Sequence, residues 1–341
     1  MGNRYLVTGG AGFIGANFIH FLLKKYPDCA IVNLDKLTYA GNLDNLKSIE
    51  HDPRYTFVQG DICDAECVKK VFAGGVNYVF NFAAETHVDR SIQDPSSFIR
   101  TDVLGAYVLA DAALKHGVNR FVQISTDEVY GSIQSGSFSE SDPLNPSSPY
   151  SASKAGGELV VMSYFTTYQL PVIVTRASNN YGPYQYPEKL IPLFVTNAIE
   201  SRSLPLYGDG SNVRDWLYVE DHCTALDIIC EKGIPGQIYN IGGSNERSNL
   251  EITRKILSYL SKSESLIRRV KDRPGHDWRY SIDSIKLRNL GWQPSHDFEK
   301  GLHKTIDWYV SNSEWWEKLK SKNDAFIKHY KSWYQDKLGL N

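Results

Sequence analysis

The chain has 341 residues, 42% hydrophobic and 12% aromatic, with 37 basic against 39 acidic side chains and a net charge of -2. That length and apolar content suffice for two lobes or one large domain with an appendage, while the balanced charge gives no bulk pull toward nucleic acid or an anionic membrane. Five cysteines, Cys29, Cys63, Cys67, Cys223 and Cys230, are odd in number and lack paired C-x-x-C spacing, so neither a disulfide framework nor a metal site is expected.

In chain order, runs of apolar and β-branched residues at 5–8, 30–34, 55–58, 78–82, 121–125 and 172–175 predict buried parallel strands. Helical spacing at 15–26, 65–72, 101–116 and 151–168 fills the intervals. The alternation predicts an α/β fold with a Rossmann-type doubly wound parallel sheet. After Tyr181 the rhythm breaks at Gly182, Pro183, Pro187, Pro192 and Pro205, leaving loops around one helix at 190–200. A smaller, interleaved α/β domain is expected to begin there. Strand-like runs at 215–219 and 238–241 predict that the chain returns to the first sheet. The Trp-rich tail (Trp308, Trp315, Trp316, Trp333) reads as packing. No leader pattern and no run of about 18 apolar residues is seen, so a cytoplasmic protein is expected.

Gly10, Gly12 and Gly15 follow the first strand as G-x-G-x-x-G, and Gly9 adds a second spacing. A tight turn, close backbone approach and close helix packing each need a missing side chain, and the helix amino terminus then meets a pyrophosphate. The alternative is an empty glycine turn. Asp35 ends the second strand 20 residues beyond Gly15; a carboxylate there accepts from both ribose hydroxyls and repels a 2′-phosphate, favouring NAD over NADP, with Lys36 pulling the other way. Asp61 and Ile62 are placed to flank the adenine, unless Asp61 is an N-cap. Phe82, Ala83 and Ala84 end the fourth strand, where small side chains let a cofactor cross the sheet edge.

Two adjacent carboxylates, Asp127 and Glu128, follow Ser125 and Thr126 at the end of a buried strand, where unused charge sits poorly. A helix cap or a solvated turn is the plain alternative. Tyr150 and Lys154 form Y-x-x-x-K on one helix face. The ammonium is expected to lower the phenol pKa and to hold a nicotinamide ribose.

The motifs TGGAGFIG (8–15), STDEVYG (125–131) and YSASK (150–154) resemble the extended short-chain dehydrogenase/reductase family. DKLTYAGN (35–42), AAETHVDRSI (83–92), SNNYGPYQYPEKLIP (178–192), RDWLYVEDH (214–222), YNIGG (239–243) and DRPGHD (272–277) resemble, within it, the nucleoside-diphosphate-glucose 4,6-dehydratases. The likeness runs to about Trp308. It implies NAD held by Gly9, Gly12, Phe13, Ile14, Gly15, Asp35, Lys36, Leu37, Thr38, Asp61, Ile62, Phe82, Ala83, Ala84, Thr86, Thr101, Tyr150, Lys154 and Asn180. It implies a nucleotide sugar held by Thr86, Thr126, Asn179, Lys189, Leu190, Pro205, Tyr207, Arg214, Asn249, Arg273 and His276, with a thymidine base expected ahead of uridine.

The chemistry so implied starts with Tyr150 taking the 4-hydroxyl proton beside Thr126 while a hydride leaves C4 for NAD. Glu128 then removes the C5 proton, protonated Asp127 donates to the departing C6 hydroxyl, and the hydride returns at C6. Each role has a plain alternative. Thr126 could cap a turn, Thr101 could be a helix N-cap, Glu85 reads as structural, and Lys189, Arg214 and Arg273 could be surface cations. The division expected is 1–182, 217–248 and roughly 298–317 for the NAD domain, with 183–216, 249–297 and the tail for the sugar-nucleotide domain. A homodimer through helices of the cofactor domain is implied. The short, Ser-rich segment 131–149 departs from relatives with a longer insertion. The competing readings are a UDP-sugar epimerase or decarboxylase and, from another class, an NAD-sensing binding protein.

Overall fold

The computed structural model describes residues 2–272 and 277–322. Six strands come first: β1 (Arg4–Thr8), β2 (Ala30–Asp35), β3 (Tyr55–Gln59), β4 (Tyr78–Asn81), β5 (Arg120–Thr126) and β6 (Val172–Ala177). They are followed by β7 (Asn179–Tyr181), β8 (Leu204–Tyr207), β9 (Val213–Tyr218), β10 (Ile238–Ile241), β11 (Glu246–Ser248) and β12 (Ile267–Val270). A seven-stranded sheet runs in the order β10-β6-β5-β4-β1-β2-β3, every pair parallel.

Between the strands lie α1 (Phe13–Lys25), α2 (Ala65–Phe72), α3 (Val88–Gln93), α4 (Pro95–Phe98), a π-helical turn (Ile99–Gly105), α5 (Ala106–His116), α6 (Pro149–Tyr168), α7 (Leu190–Ile199) and α8 (Val219–Lys232). The chain ends with α9 (Asn249–Tyr259), α10 (Ile285–Arg288), α11 (Phe298–Ser311) and α12 (Ser313–Lys322). Alternate residues of each strand feed opposite cores, as the two-residue period of a strand requires. Tyr5, Val7, Phe80 and Val122 pack with α1 and α8 through Phe18, Leu226 and Ile229. Leu6, Val79 and Phe121 pack with α2, α5 and α6 through Val68, Leu109 and Val161. Burial on both faces is why these strands read as nearly continuous apolar runs.

The sequence places the start of α6 at 151, but the helix begins at Pro149. Ser148 caps it, accepting from Ser151 N at 3.1 Å, while the Ser151 hydroxyl receives Ser148 N at 3.0 Å. This reciprocal box fixes Tyr150 in the first turn.

Only one of the two later strands expected in the first sheet returns to it. β10 takes the edge beside β6, which leaves β9 without a place there. β9 instead pairs with β7 and β11 in a three-stranded sheet, and β8 pairs with β12. A further core of Tyr181, Phe194, Trp216 and Ile252 lies on this side. α11, expected with the cofactor domain, buries Phe298, Leu302, Ile306 and Tyr309 in that core. Conversely Leu287 and Trp292, expected with the other domain, pack into the core of the large sheet. In the tail, Trp316 is buried, Trp315 donates to Asn45 Oδ1 at 3.0 Å, and Trp308 meets Tyr184 edge-on with ring centres 4.9 Å apart. Trp333 lies outside the described residues. Among those described, no helix is long and apolar enough to cross a membrane.

Candidate active site

A cleft opens at the carboxyl ends of β1, β2, β4, β5 and β6, the place where open α/β sheets bind ligands. Its floor is the glycine turn. Gly9 has φ +66°, and a Cβ there would stand 2.7 Å from Ala83 N; a Cβ on Gly15 would stand 2.5 Å from Gly9 O. The first glycine is needed for its left-handed backbone, the last for contact of helix with turn. Gly12 differs, since a Cβ there meets nothing nearer than Gly9 O at 3.2 Å. It is the N-cap of α1 and offers no side-chain cap, so the first-turn N–H groups are left for an anion at the positive end of the helix. Together the turn and this helix end fit a dinucleotide pyrophosphate.

Asp35 is 8% exposed and accepts from Ala11 N at 2.9 Å and Leu37 N at 2.7 Å. Burial pushes its pKa up, while those two N–H groups pull it down. Each carboxylate oxygen keeps a second lone pair for a ribose hydroxyl. Lys36, the residue that argued for NADP, pairs with Asp61 at 2.9 Å. Burial works against the Asp61 carboxylate, but Cys63 N and Lys36 outweigh it and hold its pKa low. The cap of α2 is Asp64, not Asp61. Thr101 lies inside the π-helical turn and therefore caps no helix.

Of the expected cofactor residues, Gly9, Gly12, Phe13, Ile14, Gly15, Asp35, Lys36, Thr38, Asp61, Ile62, Phe82, Ala83, Ala84, Thr86, Thr101, Tyr150, Lys154 and Asn180 all line the cleft. Leu37 does not; its part is the N–H given to Asp35. Thr126, Asp127, Glu128, Asn179 and Lys189 line the same cleft.

β5 ends at Thr126 and the chain turns at once into a short 3₁₀ segment, Asp127–Tyr130, capped by the Thr126 hydroxyl. The cap reading of this stretch holds for Thr126, but Asp127 is not solvated: it is 3% exposed. Its pKa is pushed well up by burial, then by Glu128 and Asp215, with Thr126 and Arg214 opposing. A carboxyl held neutral suits a proton donor. Its neighbour Glu128 is only half-buried.

On α6, Lys154 donates to Ile124 O at 2.7 Å. Burial lowers its pKa, and Asp102 and Glu158 oppose that. The expected lowering of the Tyr150 pKa is not what the protein groups produce. Burial, Glu128, Asp102 and Asp127 push it up, with Thr126 working the other way. The ammonium is engaged by the strand carbonyl, while three carboxylates, Glu128, Asp102 and Asp127, oppose ionisation of the phenol.

Several residues in or next to the cleft escaped the sequence reading. Asp102, which follows the cleft residue Thr101 and is itself buried, accepts from Ser153 Oγ at 2.6 Å and is raised to about 6 by burial, against Lys154. Glu85, read as structural, lines the cleft and is raised to about 7, mainly by burial. His222 is fully buried in α8 and meets Asn180 Oδ1 through Nδ1 at 2.9 Å, and burial lowers it to about 3, keeping it neutral. Glu188 accepts from Tyr39 at 2.9 Å. A lone histidine or glutamate in an apolar helix or loop gives no sequence signal for such pairings.

The cleft wall does not include Leu190, Pro205, Tyr207, Arg214 or Asn249. Pro205 and Tyr207 sit in β8, and Asn249 opens α9. Arg214 stacks on Tyr280 with its guanidinium carbon 4.3 Å from the ring centre and donates to Asp277 O at 3.0 Å. Arg273 and His276 lie outside the described residues. The short 131–149 segment is pinned beside this stack. Ile133 N donates to Arg279 O at 3.1 Å, Phe138 N to Ser281 O at 2.9 Å, and Glu140 accepts from Asn240 N at 2.9 Å.

A family model described as GDP-mannose 4,6 dehydratase matches residues 6–305. The dTDP-glucose 4,6-dehydratase of Streptomyces antibioticus is 52% identical over 323 residues, covering 93% of this chain and 95% of that protein. The low-salt glycan biosynthesis protein Agl12 of Haloferax volcanii is 53% identical over 309 residues, covering 91% and 99%. The crystal structure of DesIV, the dTDP-glucose 4,6-dehydratase of Streptomyces venezuelae, with NAD and dTDP bound, superposes with a TM-score of 0.90 at 52% identity, over 93% of this chain and 99% of that one. With the dinucleotide cradle, the Tyr150/Lys154 helix and the Asp127/Glu128 turn on one cleft, this chain belongs to the nucleotide-sugar 4,6-dehydratase family of extended short-chain dehydrogenases/reductases.

Proposed function

We propose that the chain is an NAD-dependent dTDP-glucose 4,6-dehydratase, converting dTDP-glucose to dTDP-4-keto-6-deoxyglucose and water. The observation that carries the reading is buried Asp127, its pKa pushed well up by burial, beside half-buried Glu128 on the cleft that Tyr150 and Lys154 share. Elimination of water needs an acid and a base at neighbouring carbons, and two carboxyls in unequal surroundings supply both. An epimerase or decarboxylase has no step that needs this pair.

The glycine turn, Asp35, Thr101, Lys154 and Asn180 hold NAD, which when bound supplies the reversible hydride sink for C4 and C6. Tyr150 removes the 4-hydroxyl proton beside Thr126. The ketone then acidifies C5, Glu128 takes that proton, and Asp127 protonates the C6 oxygen as it leaves. Lys189 and Arg214, with Arg273, neutralise the diphosphate; Thr86 and Asn179 contact the sugar; Leu190, Pro205, Tyr207, Asn249 and His276 serve the nucleotide end.

The large sheet forms the cofactor domain and the β7-β9-β11 side the substrate domain. A homodimer is supported by exposed apolar side chains on neighbouring elements, Ile99, Leu104 and Tyr107 on the π turn and α5 and Leu159 on α6. The reading includes a cytoplasmic location. Incubation with dTDP-, UDP-, GDP- and CDP-glucose side by side, read by the alkali-induced absorbance of the keto sugar, tests it. Fastest turnover is expected with dTDP-glucose, and no keto sugar from any of the four overturns the reading.

A further inference from the structure

Asn180, the middle residue of β7, holds two other cleft side chains, His222 of α8 and Gln185 of the loop after β7. The partners decide which atoms donate. The Asn180 amide gives Nδ2 to Ser178 O at 3.0 Å, so its Oδ1 is the atom that meets His222 Nδ1 at 2.9 Å. An amide oxygen only accepts; Nδ1 therefore carries the proton, and Nε2 of the neutral ring is a bare lone pair. Gln185 gives Nε2 to Asn180 O at 2.9 Å, which leaves Oε1, another acceptor, at the far corner of its amide. Neither His222 Nε2 nor Gln185 Oε1 has a partner among the described residues, although His222 is fully buried and Gln185 is 8% exposed. Both residues line the cleft. Buried acceptors left unpaired are costly, so this pair suits a ligand group that donates.

The order of the strands says which group comes within reach. In the proposed holoenzyme Asp35, at the end of β2, takes the adenosine ribose, and the amino terminus of α1, after β1, takes the pyrophosphate. The other half of the dinucleotide then runs over the ends of β4, β5 and β6, and β6 leads directly into β7 and Asn180. Tyr150 and Lys154 reach this end from α6 on one face of the sheet, whereas α8, with His222, packs beside α1 on the opposite face. The loop that carries Gln185 is tied to α1 as well, through Asn17 Nδ2 donating to Pro183 O at 3.0 Å. Its far side is held by the Tyr309 hydroxyl, which donates to Gln185 O.

Phosphate oxygens are repelled by bare acceptors, and a sugar hydroxyl has one proton to give. A carboxamide NH₂ has two. We propose that His222 Nε2 and Gln185 Oε1 accept the two N–H groups of the nicotinamide carboxamide, which makes these side chains cofactor-positioning residues. Lys154 is assigned to the nicotinamide ribose, so a second hold at the carboxamide stops the ring from turning over about its bond to that sugar. One face is then presented to Tyr150 and the substrate throughout. The dehydratase reading, on which this inference rests, needs that constancy, because the hydride taken from C4 is returned to C6 of the same sugar.

Calorimetric titration of NAD-stripped protein with NAD and with 3-acetylpyridine adenine dinucleotide, in which a methyl replaces the NH₂, tests this without turnover. The unaltered protein is expected to bind NAD about 10- to 100-fold more tightly, since the analogue leaves two buried acceptors unpaired. Gln185→Leu removes one acceptor. His222→Asn keeps an N–H for Asn180 Oδ1 and removes Nε2. Each variant should cut the preference by about 5- to 10-fold, with dTDP affinity unchanged. Equal affinity of the unaltered protein for both dinucleotides overturns the proposal. So does a preference that survives in the variants while both dinucleotides weaken in equal proportion, the mark of a purely structural role. A fall in dTDP affinity with the preference intact places these acceptors against the sugar nucleotide and also overturns it. Should His222→Asn not fold, Gln185→Leu decides alone. The NAD-dependent reading itself fails by a different result, no binding of either dinucleotide to the unaltered protein.

Discussion

Replacing Asp127 by Asn separates the acid of the elimination from every other step. The amide is isosteric, keeps an oxygen for the Thr126 hydroxyl that now donates at 3.2 Å, and puts an NH₂ where a protonated carboxyl would carry O–H. C4 oxidation and C5 deprotonation are left to Tyr150 and Glu128. Loss of a general acid costs about 100- to 10,000-fold, or about 2.7–5.5 kcal/mol of transition-state stabilisation. Keto-deoxy sugar should fall by that factor, while exchange of the C5 hydrogen in deuterated water, read by mass spectrometry of recovered substrate, persists. Glu128→Gln should do the reverse and abolish the exchange.

Stability gives an independent readout with a definite sign. Burial raises the folded pKa of Asp127 above its unfolded value, so the fold binds the proton more tightly. The carboxyl therefore costs nothing below the unfolded pKa, and an increasing amount as pH rises from there toward the folded pKa. Asp127→Asn removes that cost: thermal melts of variant and parent should coincide in acid and separate in favour of the variant as pH rises. Equal loss of exchange and elimination in a stably folded Asp127→Asn refutes the assignment of roles.

Asp35→Ala should weaken NAD by about 10- to 100-fold in a fluorescence titration, the loss of about 1.5–3 kcal/mol in charge-assisted bonds, and should narrow its advantage over NADP; unchanged selectivity would count against ribose recognition by this residue. Gly15→Ala forces a Cβ to 2.5 Å from Gly9 O, so a loss of about 1–3 kcal/mol by denaturant titration is expected, with poor NAD retention. Leu159→Lys on the 61% exposed position of α6 should leave the melting temperature of the protomer intact but give a monomer in sedimentation velocity; a persisting dimer would place the interface elsewhere.

The six leading strands were legible because both of their faces are buried, which leaves runs such as Phe121 to Ile124 with little polar interruption. β7 and β11 were not. Each has three residues, several of them polar, and is held by partners distant in sequence, such as Asn179 against Trp216 and Arg247 against Arg214. A short segment of that kind has no periodicity to detect. The same limit applies in the site. Asp35 and the glycine turn follow from local spacing, whereas His222 meets Asn180 only because α8 packs beneath β7. The failed expectation for Tyr150 has another source. Y-x-x-x-K places the ammonium within reach of the phenol, but it says nothing of the Ile124 carbonyl that engages it or of the carboxylates that face the ring.

That Asp127 and Glu128 can share one substrate depends on the residue before them. In a continuing strand, neighbouring side chains point to opposite faces, and two adjacent carboxyls could not both reach one sugar. Thr126 is extended, with φ -140° and ψ 154°, and the chain turns into the 3₁₀ segment immediately after it. The turn sets both carboxyls on one cleft but at different depths, Asp127 buried and Glu128 half-exposed. In the proposed mechanism unequal burial is what separates the donor from the acceptor, since desolvation acts most on the deeper group. The turn is held by the Thr126 hydroxyl accepting Glu128 N, and that same hydroxyl contacts Asp127. Capping and catalysis, rival readings of these letters in the sequence, are therefore compatible uses of one hydroxyl under the proposed mechanism.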